Sequence, residues 1–578
     1  MEESQDLKIE TERVDDIPVL LAQMKKMGIA QLLDEHFEMH GNWGGMSFGT
    51  VVVGWLSHIL SEGNHKLNHV EPWAEQHLLT LQSCLDEHAR ALDWSDDRLA
   101  CVLDYLGQDE LWDGFETDLS RHLLRVYDLS PQIVRLDSTS SSSYAQVTPD
   151  GLLQFGHSKD HRPDLPQLKV QLSALDPIGL PITNTVVDGS RADDGLYVPE
   201  IKKVQKVVNR HGLLYIGDCK MAALSTRAYL VQSGDFYCTP LSAVQLNAES
   251  RVELLSPVWE GKQQLSPIEG TNQKGEKEVI ANGFQVQRIQ EITTEQQSFS
   301  WQEQLLVVRS LKLAAVQEQG LRERLSKAVA QVQGLNGRGR GKRHFRSQEE
   351  LQEAVQQIVK RYRVEGLLTL CYQQQVEERV VRGYGSRATQ VREEREVRVE
   401  VAIDEAAVQR AIAALGWQVY ATNAPGEQFS LSTLVLAYRG EYLIEHDFGR
   451  LKGEPCSLRP LYLASPQRLI GLLRLLTIAL RVLILVEFEV RQKLAARGEA
   501  LKGLYAGQAT RSTARPTAEK LLRAFNGITL TKVEQGKKQY WHITPLSDVQ
   551  KAILELLSFP PDLFASMVAA SRREAASC

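Results

Sequence analysis

Cysteine is scarce in this chain. Its 578 residues include seven, at 84, 101, 219, 238, 371, 456 and 578, with no C-x-x-C pair and no zinc-like spacing. That argues against a disulfide-stapled scaffold and a structural zinc module, and fits a reducing cytoplasm. The opening segment "MEESQDLKIE" is acidic and polar, so it is not expected to act as a secretory or mitochondrial signal. No uninterrupted apolar run reaches membrane-spanning length. The nearest, "LIGLLRLLTIALRVLILVEF" at 469–488, is broken by Arg474 and Arg481, so it reads as a buried helix and no membrane partner is expected. The chain has no internal repeat and no long low-complexity tract. The phosphate-cradling spacing G-x-x-x-x-G-K-[ST] is also absent, which disfavours nucleotide binding. Nor is there an excess of positive charge: a net charge of −7 does not advertise nucleic-acid binding.

What is there is unevenly distributed. Residues 1–137 hold 10 Lys+Arg against 26 Asp+Glu, whereas residues 450–525 hold 14 against 5. A polyanion is therefore expected to prefer the C-terminal half. The length suggests three or four units. Residues 1–130 read as a helical domain, with apolar positions three and four apart in "IPVLLAQMKKMGIAQLLDEHF" and Ser95 and Gly107 bounding a helix.

Residues 131–242 read β-β-β-α-β-α-β, including a hairpin over 167–188 turning at "DPIG" and Asp193 and Asp194 as caps of the first helix. That order predicts an α/β (mixed) class, a mixed sheet with helices packed on it. A Gln-, Glu- and Arg-rich block over 243–425 reads as an inserted α+β domain, with helices near 311–333 and 348–363. Residues 433–496, within a unit of 426–505, return to helix; "QATRSTARPTAEK" (508–520) reads as a linker, and 506–578 form a tail with a hairpin and a last helix.

Three acids stand out by context. Asp137 follows the run "IVRL", Asp218 follows "LLYIG", and Glu445 lies in "YRGEYLIEHDFGRLKG". In that last segment Tyr438, Glu441, Glu445 and Lys452 are spaced by three, four and seven, which predicts one face of a single helix about 21 Å long. Taken singly, a strand-end aspartate is more often a turn or cap residue and a helical glutamate is more often solvated. Converged, three carboxylates would repel one another unless a proton or cation intervenes. Mg²⁺ prefers such hard oxygen ligands, and two ions can clamp the attacking and leaving oxygens of a phosphoryl displacement.

In order and local pattern these blocks resemble the DDE transposases of bacterial insertion sequences, and among them the group marked by a Y-(2)-R-(3)-E-(6)-K signature. "RLDSTSSSSY" is similar to the first-aspartate strand, "GHSKDHRPDLPQLKVQL" with "GLPI" to the strands that follow, "LYIGDCKM" to the second-aspartate strand, and "GWQVYATN" to the stretch before the signature helix. Tyr438, Glu445 and Lys452 keep the signature spacing. The arginine position is Glu441; Arg439, two residues away, is the residue expected to substitute for it as a DNA contact.

The resemblance spans about 130–490. It implies a ribonuclease-H-like core, a mixed five-stranded sheet with flanking helices, split by the large insertion. It implies that Asp137, Asp218 and Glu445 are catalytic and hold Mg²⁺ or Mn²⁺, two ions in all. It implies that Tyr438 and Lys452 contact DNA phosphates, that the partner is double-stranded DNA at element ends and target, and that a homodimer forms the synaptic complex in the bacterial cytoplasm. Glu441 either assists a metal indirectly, pairs with Arg439 or Arg450, or marks an impaired copy.

Further DNA contacts are expected from Lys159 and Arg162 in the polar loop 157–162. The glycine-rich basic loop "GRGRGKR", with Arg338, Arg340, Lys342 and Arg343, is either a phosphate grip or a plain solvated loop. Trp259, Trp301 and Trp417 are candidates for stacking on an extruded base, with core packing the commoner role. Two alternatives to a transposase stand: a metal-dependent nuclease that does not join strands, and a non-catalytic DNA-binding descendant.

Overall fold

The computed structural model describes residues 7–568 except 42, 272–274, 294–297, 338–343, 346, 382–389, 460, 462, 509 and 537. The basic loop residues Arg338, Arg340, Lys342 and Arg343 lie outside the described residues. The chain forms two compact units, one of residues 1–239, 292–299 and 437–578, the other of residues 240–291 and 300–436. It is a mixed α/β protein with a large mixed sheet and many helices.

In the first unit five strands carry the site: β1 (Ile133–Ser142), β2 (Gln167–Leu175), β3 (Leu180–Asp188), β4 (Leu214–Gly217) and β5 (Phe236–Pro240). They lie in the order β3-β2-β1-β4-β5. The β1–β2 and β2–β3 pairs are antiparallel, whereas β1–β4 and β4–β5 are parallel. Helices α1 (Tyr197–Val208) and α2 (Leu224–Gln232) make the crossovers that parallel strands require. β2 is buried along its whole length, so Leu168, Val170, Leu172 and Ala174 are core residues.

Ser95 and Gly107 bound the helix Asp96–Leu106 as N-cap and C-cap, Ser95 without a side-chain capping bond. One local expectation fails. Asp193 and Asp194 lie in a 3₁₀ turn, Asp193–Leu196, whose N-cap is Ala192. Asp193 is instead taken by Lys169, whose ammonium lies 2.7 Å from its carboxylate. A buried ammonium within reach is a stronger partner than an exposed helix end.

The segment 438–453 is not one helix. The helix Leu431–Arg439 stops, Gly440 and Glu441 form a turn, and α3 (Tyr442–Lys452) begins with Glu441 as its N-cap. Tyr438 and Glu441 thus do not share a helix with Glu445 and Lys452. On α3, Ile444 and Phe448 stand one turn apart and pack on Leu172 and Ala174 of β2, which docks the helix on the sheet.

The apolar run forms the middle of α4 (Pro466–Arg497). By length and composition it is the one described helix able to cross a membrane, yet it is buried inside the first unit. Its two arginines are internal. Arg481 donates to Glu116 at 2.7 Å and to the carbonyls of Pro181 and Ile182; Arg474 pairs with Asp109 and donates to the carbonyl of Leu106.

The second unit holds the strands Ser266–Thr271, Lys277–Thr293, Ser298–Ser310 and Trp417–Thr422, with Trp417–Thr422 antiparallel to Ser298–Ser310. Helices Leu311–Gly334 and Gln348–Tyr362 and a long hairpin, Leu368–Val381 with Gln390–Ile403, complete it. Trp301 and Trp417 are buried there, while Trp259 is 43% exposed.

Candidate active site

The β1–β4 ladder ends with Leu136 opposite Gly217. The next residue on each strand is an aspartate. Neighbouring strands lie about 4.8 Å apart, so this register sets Asp137 and Asp218 side by side at the end of the parallel pairing. Two residues 81 positions apart become neighbours because a crossover returns the chain beside β1 in parallel.

Each aspartate is held. Asp218 accepts from the Tyr197 hydroxyl at 2.6 Å and from the Lys220 backbone N–H at 2.8 Å. Tyr197 is 1% exposed, and burial with the Asp218 charge keeps its hydroxyl protonated well above the ordinary range. Asp137 accepts from its neighbour's backbone N–H at 2.7 Å and from the Lys159 ammonium at 3.2 Å. Burial pushes the Asp137 carboxyl up; Lys159 and the Ser138 N–H pull it down, and Asp218 pushes it up again.

Glu441 belongs to the same cluster. Burial raises its pKa, the charges of Asp137, Glu445 and Asp218 raise it further, and Arg135 lowers it. Arg450, one of the partners expected for Glu441, is committed instead to Glu487 and Glu519. Glu445 lies one turn on, its N–H reaching the Glu441 carbonyl at 3.3 Å, with an exposed side chain. The acidic set is four residues, Asp137, Asp218, Glu441 and Glu445.

The loop 157–162 lies against this cluster. The Lys159 backbone N–H donates to Ser140 Oγ at 2.9 Å, which sets its side chain against Asp137 and Ser138. Asp160 turns the other way and receives both Lys452, at 2.8 Å, and Arg459. Arg162 is exposed and holds Asp164 at 2.8 Å. Of the residues expected to contact DNA, Lys159 and Lys452 are thus engaged by carboxylates of the protein itself. Tyr438 and Arg439 are half-buried just ahead of the turn.

The all-oxygen, anionic donor set suits a hard divalent cation. The cluster is open: among the described residues no three His, Cys, Asp or Glu close around one point at ligating distance. The acids feel one another's charge, and the ammonium of Lys159 supplies positive charge at Asp137.

Sequence reasoning passed over Arg135 and Tyr197. Arg135 hid inside "IVRL", where strand alternation alone puts it on the same side as Asp137. Tyr197 carries no local signal, because its role depends on how α1 packs over β4.

No family model matches the chain, and no curated protein matches it. Among solved structures, the piggyBac transposase synaptic complex with hairpin DNA aligns with 89% of this chain and 81% of that chain, at 9% identity and a TM-score of 0.33.

Proposed function

We propose that this chain is a transposase-like enzyme acting on DNA phosphodiester bonds, with Asp137, Asp218 and Glu445 as its catalytic carboxylates. The observation that carries the reading is the strand register, which sets Asp137 beside Asp218 while α3 brings Glu441 and Glu445 to the same end of the sheet. The strand order and directions support a ribonuclease-H-like core, as the sequence resemblance implies.

Bound Mg²⁺ or Mn²⁺, two ions in this reading, would stabilise charge on the attacking and leaving oxygens. The protein's own groups do the rest. Tyr197 fixes the rotamer of Asp218, and Lys159 holds Asp137 in place until a competing cation arrives. In the first step a water oxygen attacks phosphorus and the bond to the 3′-oxygen breaks, leaving a 3′-hydroxyl and a 5′-phosphate. In the second, that hydroxyl attacks a target phosphorus and displaces the target's 3′-oxygen. Both are in-line displacements differing only in the nucleophile. Double-stranded DNA is the substrate in both, and handling two ends together calls for a homodimer.

The test uses a duplex carrying the DNA that flanks this protein's own coding sequence. Asp137→Ala should abolish Mg²⁺-dependent strand cleavage and leave DNA binding largely intact. Unchanged cleavage by that variant ends the proposal. Cleavage by the wild type without joining of pre-cut ends to a target would leave the nuclease reading in its place.

A further inference from the structure

The strand that carries Asp137 carries a cation two residues earlier, on the same side. Arg135 is 2% exposed. Its Nε and Nη2 donate to the two carboxylate oxygens of Asp176 at 2.5 and 2.6 Å, and Nη2 also donates to the backbone carbonyl of Ala437. Ala437 lies in the last turn before the break at Gly440. A methyl group at Gly440 would stand 2.3 Å from Arg135 Nη2 and 2.9 Å from Cζ, so the turn rests directly on the guanidinium. Asp176 prevents the guanidinium from swinging aside. The same cation offsets the repulsion that Glu441 receives from Asp137, Asp218 and Glu445.

We infer that Arg135 is a positioning residue of the acid site: it clamps the turn 437–441 onto β1, so that α3 delivers Glu441 and Glu445 to Asp137 and Asp218. The inference rests on the proposed reading of these acids as a divalent-cation site. Three features make arginine the residue for this place. Its planar fork spans a carboxylate with two bonds, it still has a proton for a carbonyl, and it stays charged when buried. A lysine would keep the charge and lose the fork. Gly440 is the complementary requirement, since any side chain there would push the clamp away.

The experiment titrates the full chain with Mn²⁺ by calorimetry and follows thermal melting without metal, for the wild type, Arg135→Lys, Gly440→Ala, their double variant and Asp137→Asn. Groups that orient a metal site from behind typically change affinity by about 10- to 100-fold when altered. Arg135→Lys and Gly440→Ala should each weaken Mn²⁺ binding at least tenfold, and the double variant should be no weaker than the worse single, since both break one contact. If Arg135→Lys does not fold, Gly440→Ala, which retains Asp176 and the charge, decides alone. Lowered melting temperature with unchanged Mn²⁺ affinity would overturn the inference and leave Arg135 as a fold residue. Failure of the underlying reading looks different: the wild type would bind no Mn²⁺, or Asp137→Asn would bind it as the wild type does.

Discussion

Glu200 is wholly buried on α1 and accepts from the hydroxyls of Thr183 at 2.5 Å and Thr185 at 2.6 Å. Burial pushes its carboxyl from the ordinary 4.5 to about 7, against the pull of Lys203 and the two threonines. The folded chain therefore keeps a proton that the unfolded chain has lost between these values. Stability from this residue is greatest below about 4.5 and falls as pH rises through about 7. Glu200→Gln carries a permanently neutral amide and escapes that fall. Urea denaturation at pH 5 and pH 8 should show the variant gaining on the wild type by on the order of 2 kcal/mol across the interval. A constant difference at both pH values would mean that Glu200 is ionised in the fold. At this scale Asp137 and Asp218 were legible, because a lone acid ending an apolar run breaks the strand pattern. Glu200 was not: "VPEIKK" reads as an ordinary amphipathic helix, and only packing against Thr183 and Thr185 reveals which way that acid points.

Elements show where local pattern prevails and where it yields. The hairpin over 167–188, the crossover helices and the strands at 214 and 236 follow from alternation and turn chemistry in the sequence alone. The single helix from 438 to 453 does not survive, although its polar residues keep helical spacing and an isolated glycine inside a helical pattern is tolerated. At the break the chain rests on the buried guanidinium of Arg135, 302 residues from Ala437 in sequence, a contact that no local window contains. The helix α4 shows the opposite case. Two arginines in an apolar run pointed to a buried helix rather than a membrane span, and each proves to be an internal tie. Arg481 joins α4 to Glu116 of the helix Asp109–Val126 and to the backbone of β3, with neither charged partner more than 3% exposed. Removing one partner of such a pair strands the other charge, which costs about 3–5 kcal/mol. Arg481→Met should lower stability by that order in urea, and adding Glu116→Leu should restore part of the loss. A single variant as stable as the wild type would show that Glu116 finds another partner or a proton.

Across the whole chain, the charge asymmetry of the sequence has a different meaning from the one its totals suggest. The acidic N-terminal stretch and the basic stretch 450–525 meet inside the first unit. Asp104 binds Arg468, Asp109 binds Arg474, Glu116 binds Arg481, and Lys26 reaches back to Glu489. Lys452 and Arg459 are held by Asp160, and Arg450 and Arg491 by Glu487. Seven of the fourteen basic residues of this stretch thus tie elements together. Exposed cations lie further along, among them Arg511, Arg515, Lys520 and Arg523. Arg511 and Lys520 stand 3.9 and 4.6 Å from the ring centre of Tyr505, which holds two cations close together. If the chain binds DNA as proposed, these four supply phosphate contacts that the paired arginines do not. Each phosphate contact adds about 0.9 to the slope of log affinity against log salt, so replacing all four by glutamine should flatten that slope by about three or more and weaken binding to any sequence alike. Arg468→Gln and Arg474→Gln should lower stability and leave the slope unchanged. Affinity titrations at several salt concentrations separate the two groups. A slope that falls with Arg468 and Arg474 instead would return the DNA surface to the region now tied to the N-terminal helices.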